Sequence, residues 1–289
     1  MKKEVVFPDK GLEYVIRKVI DNPKDPIYTS SLEDATTFEA TEQSISDLTG
    51  LECCLNLQEL YLFVNNISNI SPLAGLNNLK TLYLYINNIS DISPLAGLSN
   101  LQWLALDTNN ISDISALAGL SNLEWLYLST NNISDISAMA GLSNLKILTL
   151  KNNNISDISA MAGLSNLLRI NLEDNNISDI SALAGLSNLE YLNLYANNIS
   201  DISALAGFNN LEILVLEHNS ISDISALAGL SSLKYLNIYA NNISDISALV
   251  DNAELSNGDT VNLMGNPLSA ESINNYIPQL EARGATVHY

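Results

Sequence analysis

The chain has 289 residues, 47% of them hydrophobic, and carries a formal net charge of −20. That charge excludes a nucleic-acid partner, because phosphate binding needs a basic footprint, and it disfavours an anionic membrane surface for the same reason. No run approaches the roughly 18 consecutive apolar residues that a helical membrane span requires.

Residues 1–56 read as an N-terminal cap. The opening MKKEVVFPDK is charged but has no apolar signal-peptide core, so the expectation is either a cytoplasmic protein or a chain that begins after a removed leader. Beyond Pro8 and Asp9, the residues Leu12, Val15, Ile16 and Val19 fall at helical spacing, with Asp9 as N-cap and Asn22-Pro23 as the stop. Ile27 and Tyr28 read as a short extended piece, and Ser31 as the cap of a brief turn. Phe38, Ala40, Ile45 and Leu48 occupy the slots that later coils fill with Leu and Ile, so residues 36–56 read as a degenerate first coil. Cys53 and Cys54 are the only cysteines and are neighbours; two free, partly buried thiols are expected, with a strained vicinal disulfide as the alternative.

Asparagine then recurs every 22 residues, at Asn65, Asn87, Asn109, Asn131, Asn153, Asn175, Asn197, Asn219 and Asn241. A fixed period of that length is the mark of a solenoid, so residues 57–252 are read as nine coils. In the first, Leu60 and Leu62 alternate with Tyr61 and Phe63, which is strand periodicity with the leucines inward. Asn65 follows where the chain leaves the strand. Its amide both donates and accepts, so the nine are expected to stack as a buried ladder, tolerable only if every member is satisfied. Ile67, Ile70, Leu73 and Leu76 return at a spacing of three, which suits 3₁₀ turns. Ser71 before Pro72 reads as an N-cap with Pro at the first helical position. Gly75 and its equivalents through Gly229 sit where the chain turns back and a positive φ is expected. The expected fold is α/β: a curved solenoid with a parallel sheet on its concave face and 3₁₀ or short helical turns on the convex face.

Residues 253–289 break the period. A strand is expected at Val261-Asn262-Leu263, three residues late, with Asn266 in the asparagine slot. Ser269 then caps a helix that puts Ile273, Ile277 and Leu280 inward, Pro278 interrupts it, Gly284 ends it and Thr286-Val287 forms a last strand. The segment reads as a second cap on one continuous domain.

The pattern LxxLxLxxNxI, present in all nine units with Ile170 and Ile238 standing for Leu in two of them, is that of leucine-rich repeats, and the 22-residue form with ISDISPLAGL resembles the bacterial internalin-like class. The start FPDKGLEYVIRKVI, the junction SISDLTGLE and the ending VNLMGNPLSAESINNYIPQLEARGATV resemble the caps of such proteins. The resemblance implies a secreted or cell-surface bacterial protein that binds other proteins on its concave face, without enzymatic activity.

Compared with one another, the coils are nearly invariant except at the outward strand positions. There lie Tyr61, Phe63, Tyr83, Tyr85, Trp103, Asp107, Trp125 and Tyr127, then the charged Lys151, Arg169 and Glu173, then Tyr191, Tyr195, Glu217, Tyr235 and Tyr239. An apolar, aromatic face of that extent marks a binding surface, and Tyr and Trp give large contacts at low entropic cost. These sixteen are the candidate partner-binding residues, although cross-strand stacking alone would also explain aromatics here. A protein partner is the first expectation; a carbohydrate or cell-wall ligand, or a second copy of the chain, are the alternatives. The repeated acids from Asp91 to Asp245 read as a solvated ladder bonding to turn amides, since a Ca²⁺ site needs 6–8 oxygens. His218 beside Glu217, with Glu173 and Asp174 nearby, is weak ground for a metal or acid–base site. No Ser–His–Asp set, phosphate loop or CxxC pair is present, so no cofactor, metal or catalytic residue is expected.

Overall fold

The computed structural model describes residues 3–289, and its backbone falls into two units, Met1–Leu145 and Lys146–Tyr289. In the first unit the amphipathic helix α1 (Lys10–Val19) starts where Asp9 accepts hydrogen bonds from the amides of Gly11 and Leu12, and it buries Leu12, Val15 and Ile16. Tyr28 forms an antiparallel bridge with Glu4. The next turn, α2 (Thr29–Leu32), begins at Tyr28 without a side-chain cap, so Ser31 lies inside it and does not start it. Leu32, fully buried, holds that turn in place instead.

Five three-residue strands follow: β1 (Thr37–Glu39), β2 (Glu59–Tyr61), β3 (Thr81–Tyr83), β4 (Trp103–Ala105) and β5 (Trp125–Tyr127). They pair in parallel, each with the next in the chain. Register keeps like with like, so that Leu60 faces Leu82 and Trp103 faces Trp125. The middle residues Phe38, Leu60, Leu82, Leu104 and Leu126 are fully buried, which is the alternation the leucine spacing demands.

The second unit repeats the plan with β6 (Ile147–Thr149), β7 (Arg169–Asn171), β8 (Tyr191–Asn193), β9 (Ile213–Val215), β10 (Tyr235–Asn237), β11 (Thr260–Asn262) and β12 (Thr286–His288), again paired in parallel in chain order. Near its end α3 (Ser247–Asp251) stands where earlier coils have 3₁₀ turns. The closing helix has two parts: a π-helical turn over Ser272–Tyr276 leads into α4 (Ile277–Ala282), with Pro278 in the first turn of α4. Ile277 and Leu280 are fully buried, but Ile273 is 39% exposed, contrary to the expected inward stripe. The π turn, with more residues per turn, narrows the angular step and brings Ser272 inward in its place. Its hydroxyl donates to the Ser244 carbonyl at 2.7 Å and accepts from the Ile246 amide at 3.3 Å.

The asparagine ladder holds the corner of each coil. Asn87 Nδ2 donates to the carbonyls of Leu62 and Leu84, both at 3.0 Å, and its Oδ1 accepts from the amide of Ile67 at 3.0 Å. Asn197 does the same with Leu172, Leu194 and Ile177. Eight of the nine are buried; Asn219 is half-buried. The residue before each Asn takes a left-handed conformation although none is glycine, with φ from 49° at Ala196 to 56° at Val64 and Thr130. For β-branched Val64, Ile86, Thr108 and Thr130 this is strained, and strain of this kind persists only where surrounding bonds over-determine it.

On the return path 3₁₀ turns such as Ser71–Leu73 and Ser115–Leu117 occupy the expected place. The serine is not their N-cap: no serine hydroxyl caps them. The residue two positions earlier does the work, since Asp91 Oδ1 accepts from the amide of Ser93 and Asp113 Oδ1 from that of Ser115, both at 2.8 Å. This is the bonding expected of the aspartate ladder. Gly75 through Gly207 adopt φ between 88° and 99°, where an added Cβ would meet open space, so backbone conformation alone calls for glycine. Gly229 does not follow, because its 3₁₀ helix runs on over Ser225–Gly229.

Candidate functional site

In the first unit the outward positions of β2 to β5, with the two residues beyond β2 and β3, bring seven aromatic rings together. Parallel strands lie about 4.8 Å apart, so rings in matching positions stack face to face along the sheet. Tyr61 lies over Tyr83 at 5.1 Å, Phe63 over Tyr85 at 4.4 Å and Trp103 over Trp125 at 4.7 Å, with interplanar angles of 26°, 12° and 23°. Diagonal contacts join the pairs: Tyr83 to Trp103 at 6.0 Å and Trp103 to Tyr127 at 5.9 Å. Tyr83 thus meets four of the other rings and Trp103 three. Beside Trp103, Ala105, outward by register, is only 3% exposed, because the neighbouring rings cover it.

The seven rings are half-buried, not fully exposed as the bare pattern suggests, because each hides a face of the next. Burial, and then the neighbouring hydroxyls of Tyr61, Tyr127 and Tyr85, push the Tyr83 phenol up to about 12. Burial and then Glu42 and Asp107 raise Tyr85, while burial and Glu59, whose carboxylate accepts from the Tyr61 hydroxyl at 3.2 Å, raise Tyr61. The phenols therefore act as neutral hydrogen-bonding groups. Trp103 Nε1 is buried without an acceptor. Asp107 has a tie within the chain, accepting from the Ser129 amide at 2.8 Å. Ile86, at 45% exposure, is the apolar residue at the rim.

The outward face of the second unit sets charged residues among tyrosines. Lys151 Nζ meets Glu173 Oε1 at 2.7 Å, a hydrogen bond that raises the lysine pKa. The Arg169 guanidinium sits 4.9 Å from the centre of the Tyr191 ring. His218 lies between Tyr195 and Tyr239, edge-on to both at 5.5 and 5.3 Å, with its Nε2 3.8 Å from Glu217 Oε1. Tyr235 stands 38% exposed. Two buried residues, Asn193 and Asn237, were not among the candidates. Asn193 Nδ2 donates to Glu173 at 3.0 Å and Asn237 Nδ2 to Glu217 at 2.6 Å. The signal was in the chain: a Glu stands 20 residues before each, one coil back on the same face.

Elsewhere, Cys53 and Cys54 are free thiols, Cys54 buried and pushed up to about 12 by that burial and by Cys53 and Glu52. Among the described residues, no group of three or more His, Cys, Asp or Glu side chains is gathered in a way that could hold a metal ion, and no helix is long and apolar enough to cross a membrane.

Models of leucine-rich repeats match residues 55–97, 121–163 and 209–251 in a two-copy form, and 94–133, 143–199 and 178–221 in a second form. An internalin from Listeria monocytogenes, InlF, is 33% identical; the match covers 98% of this chain and 91% of that one, with a TM-score of 0.85. The chain belongs to the internalin-like leucine-rich repeat family. Internalin C2 of the same species is 35% identical over 75% of this internalin-like chain and 95% of its own, with a TM-score of 0.68. The plant peptide hormone receptor RGFR1, solved in complex with RGF2, shares the fold at 22% identity, covering 76% of this chain and 38% of the receptor, with a TM-score of 0.67. No curated protein matches.

Proposed function

We propose that this internalin-like chain is a non-enzymatic recognition module that binds a partner protein through the outward face of its sheet, with the ring stack of the first unit as the principal contact. The observation that carries the reading is the run of rings in which Trp103 stacks on Trp125, Tyr127 and Tyr83, on an otherwise repetitive frame. Half-buried, rigid aromatic residues of this kind are the usual hot spots of protein interfaces. The stacking also favours a protein over a carbohydrate. A sugar needs an open ring face, and here Tyr61, Tyr83, Phe63, Tyr85, Trp103 and Trp125 each have one face taken by a neighbouring ring at 4.4–5.1 Å. The same fold is recorded with a bound ligand in the plant receptor complex, which supports the mode at the level of fold.

In this reading residues 57–252 carry the binding surface, residues 1–56 and 253–289 close its ends, and the protein acts outside the bacterial cell or on its surface. The test is capture of partners from the organism's surroundings by the intact protein and by a Trp103→Ala, Trp125→Ala double variant. A partner held by the parent and lost by the double variant supports the proposal; equal retention defeats it. Binding on a glycan array, or a dimer in light scattering that the double variant abolishes, would favour the carbohydrate or self-association alternatives.

A further inference from the structure

The second unit contains the same carboxylate device twice, 44 residues apart, and the two copies differ in what faces the carboxylate. In the first copy Asn193, 7% exposed, fixes Glu173: its Oδ1 accepts from the Tyr195 amide at 2.9 Å and its Nδ2 donates to Glu173 Oε2 at 3.0 Å. In the second, Asn237, 8% exposed, fixes Glu217: its Oδ1 accepts from the Tyr239 amide at 3.1 Å and its Nδ2 donates to Glu217 Oε2 at 2.6 Å. Each carboxylate is held by one oxygen from behind, by a buried amide that is itself locked to the backbone. The other oxygen, Oε1, points to what the site is for.

At Glu173 that oxygen receives the Lys151 ammonium at 2.7 Å. The residue in the place of Lys151 in the second copy is Tyr195, so the sequence has exchanged an internal cation for an aromatic ring. Among the described residues, the basic group within reach of Glu217 Oε1 is the imidazole of His218, at 3.8 Å, beyond hydrogen-bond distance. His218 is flanked by Tyr195 at 5.5 Å and Tyr239 at 5.3 Å. An oriented carboxylate beside tyrosine rings is the arrangement that attracts an ammonium or guanidinium, through charge and through the ring quadrupole. The chain uses both elements itself, with Lys151 on Glu173 and Arg169 4.9 Å from the Tyr191 ring.

We propose that Glu217 takes its cation from outside, as the Lys or Arg side chain of a bound polypeptide received beside Tyr195 and Tyr239. This rests on the reading that the sheet face binds a protein. Its own test needs no partner. N-acetyl-arginine amide, N-acetyl-lysine amide and uncharged N-acetyl-citrulline amide are titrated into the intact protein above the histidine titration range, and the ring resonances of Tyr195, His218 and Tyr239 are followed by NMR. The two cationic probes are expected to shift these resonances saturably, and the citrulline probe to leave them in place. Glu217→Gln keeps the amide-facing oxygen and is expected to weaken the cationic probes about fivefold, the scale of a partly exposed ion pair. Glu173→Gln should leave them unchanged. An equal response to citrulline, no response to any probe, or an unaltered response in Glu217→Gln overturns the proposal. Loss of partner capture with intact probe binding would instead count against the protein-binding reading alone, so the two failures are distinguishable.

Discussion

The outward faces of the two units both carry tyrosines but differ in what surrounds them. In the first, matched positions hold ring against ring, from Tyr61 on Tyr83 to Trp103 on Trp125. In the second, the equivalent columns hold Lys151, Glu173 and Glu217, with buried Asn193 and Asn237 orienting the acids. The inward leucines, the asparagine corners and the aspartate-capped turns are alike in both. The frame carries very different side chains on its outward face because its own bonds are satisfied elsewhere. Neighbouring outward residues then decide, in pairs, whether a region becomes a stack or an ion-pair patch.

If the frame is common property, breaking it should cost the same in either unit. Asn87→Ala leaves the Ile67 amide without its side-chain partner and takes one of two side-chain donors from each of the Leu62 and Leu84 carbonyls, and Asn197→Ala does likewise at Ile177, Leu172 and Leu194. An unsatisfied buried amide costs about 1–3 kcal/mol and each further lost hydrogen bond about 1 kcal/mol, so both variants should lose about 3 kcal/mol in urea denaturation. A clearly smaller loss in one unit would show that the frames differ. The face should behave oppositely. Trp103→Ala with Trp125→Ala should weaken partner binding by about 2 kcal/mol or more, measured by calorimetry on a captured partner, and Glu217→Gln should weaken it less. A reversal of that order would move the main contact to the second unit.

Turn glycines offer a finer contrast. Gly119→Ala forces a Cβ onto a residue at φ 93° and should destabilise by about 1 kcal/mol or more. Gly229→Ala, outside the left-handed region and with open space around its added Cβ, should change the midpoint little. Equal effects would mean that position, not conformation, selects glycine. The smallest effect concerns pH. The amide and then the hydroxyl of the serine two positions on hold Asp113, Asp135, Asp179, Asp201 and Asp223 below their ordinary 3.8. A depressed folded pKa contributes stability that is complete above the unfolded value and lost as pH falls through the folded one. Melting temperature should therefore drop below about pH 4, and Asp113→Asn should flatten that dependence slightly, as should Asp201→Asn in the other unit.

Much of this was legible in the chain because a solenoid makes every long-range contact a fixed offset. The 22-residue spacing of the asparagines already says which residues are neighbours, and the inward Leu60 and Leu62, the outward Tyr61 and Phe63, and the helix behind Asp9 all follow from period and capping chemistry. The candidate rings of the first unit were readable for the same reason. What escaped depended on directions in space that a one-dimensional period does not carry. The left-handed corner at Val64 and its successors is imposed by hydrogen bonds to the next coil, such as Val64 N to the Tyr85 carbonyl at 3.0 Å, and no propensity announces it. Ile273 left the core because a π turn rotated it out and Ser272 in. The internalin-like sequence by itself determined the coil, its register and which residues face outward, since these depend only on periodic burial. Only the tertiary structure decided that the aromatic rings hide one another's faces and that Glu173 and Glu217 are held from behind by buried amides, because both depend on the angle at which side chains from successive coils meet.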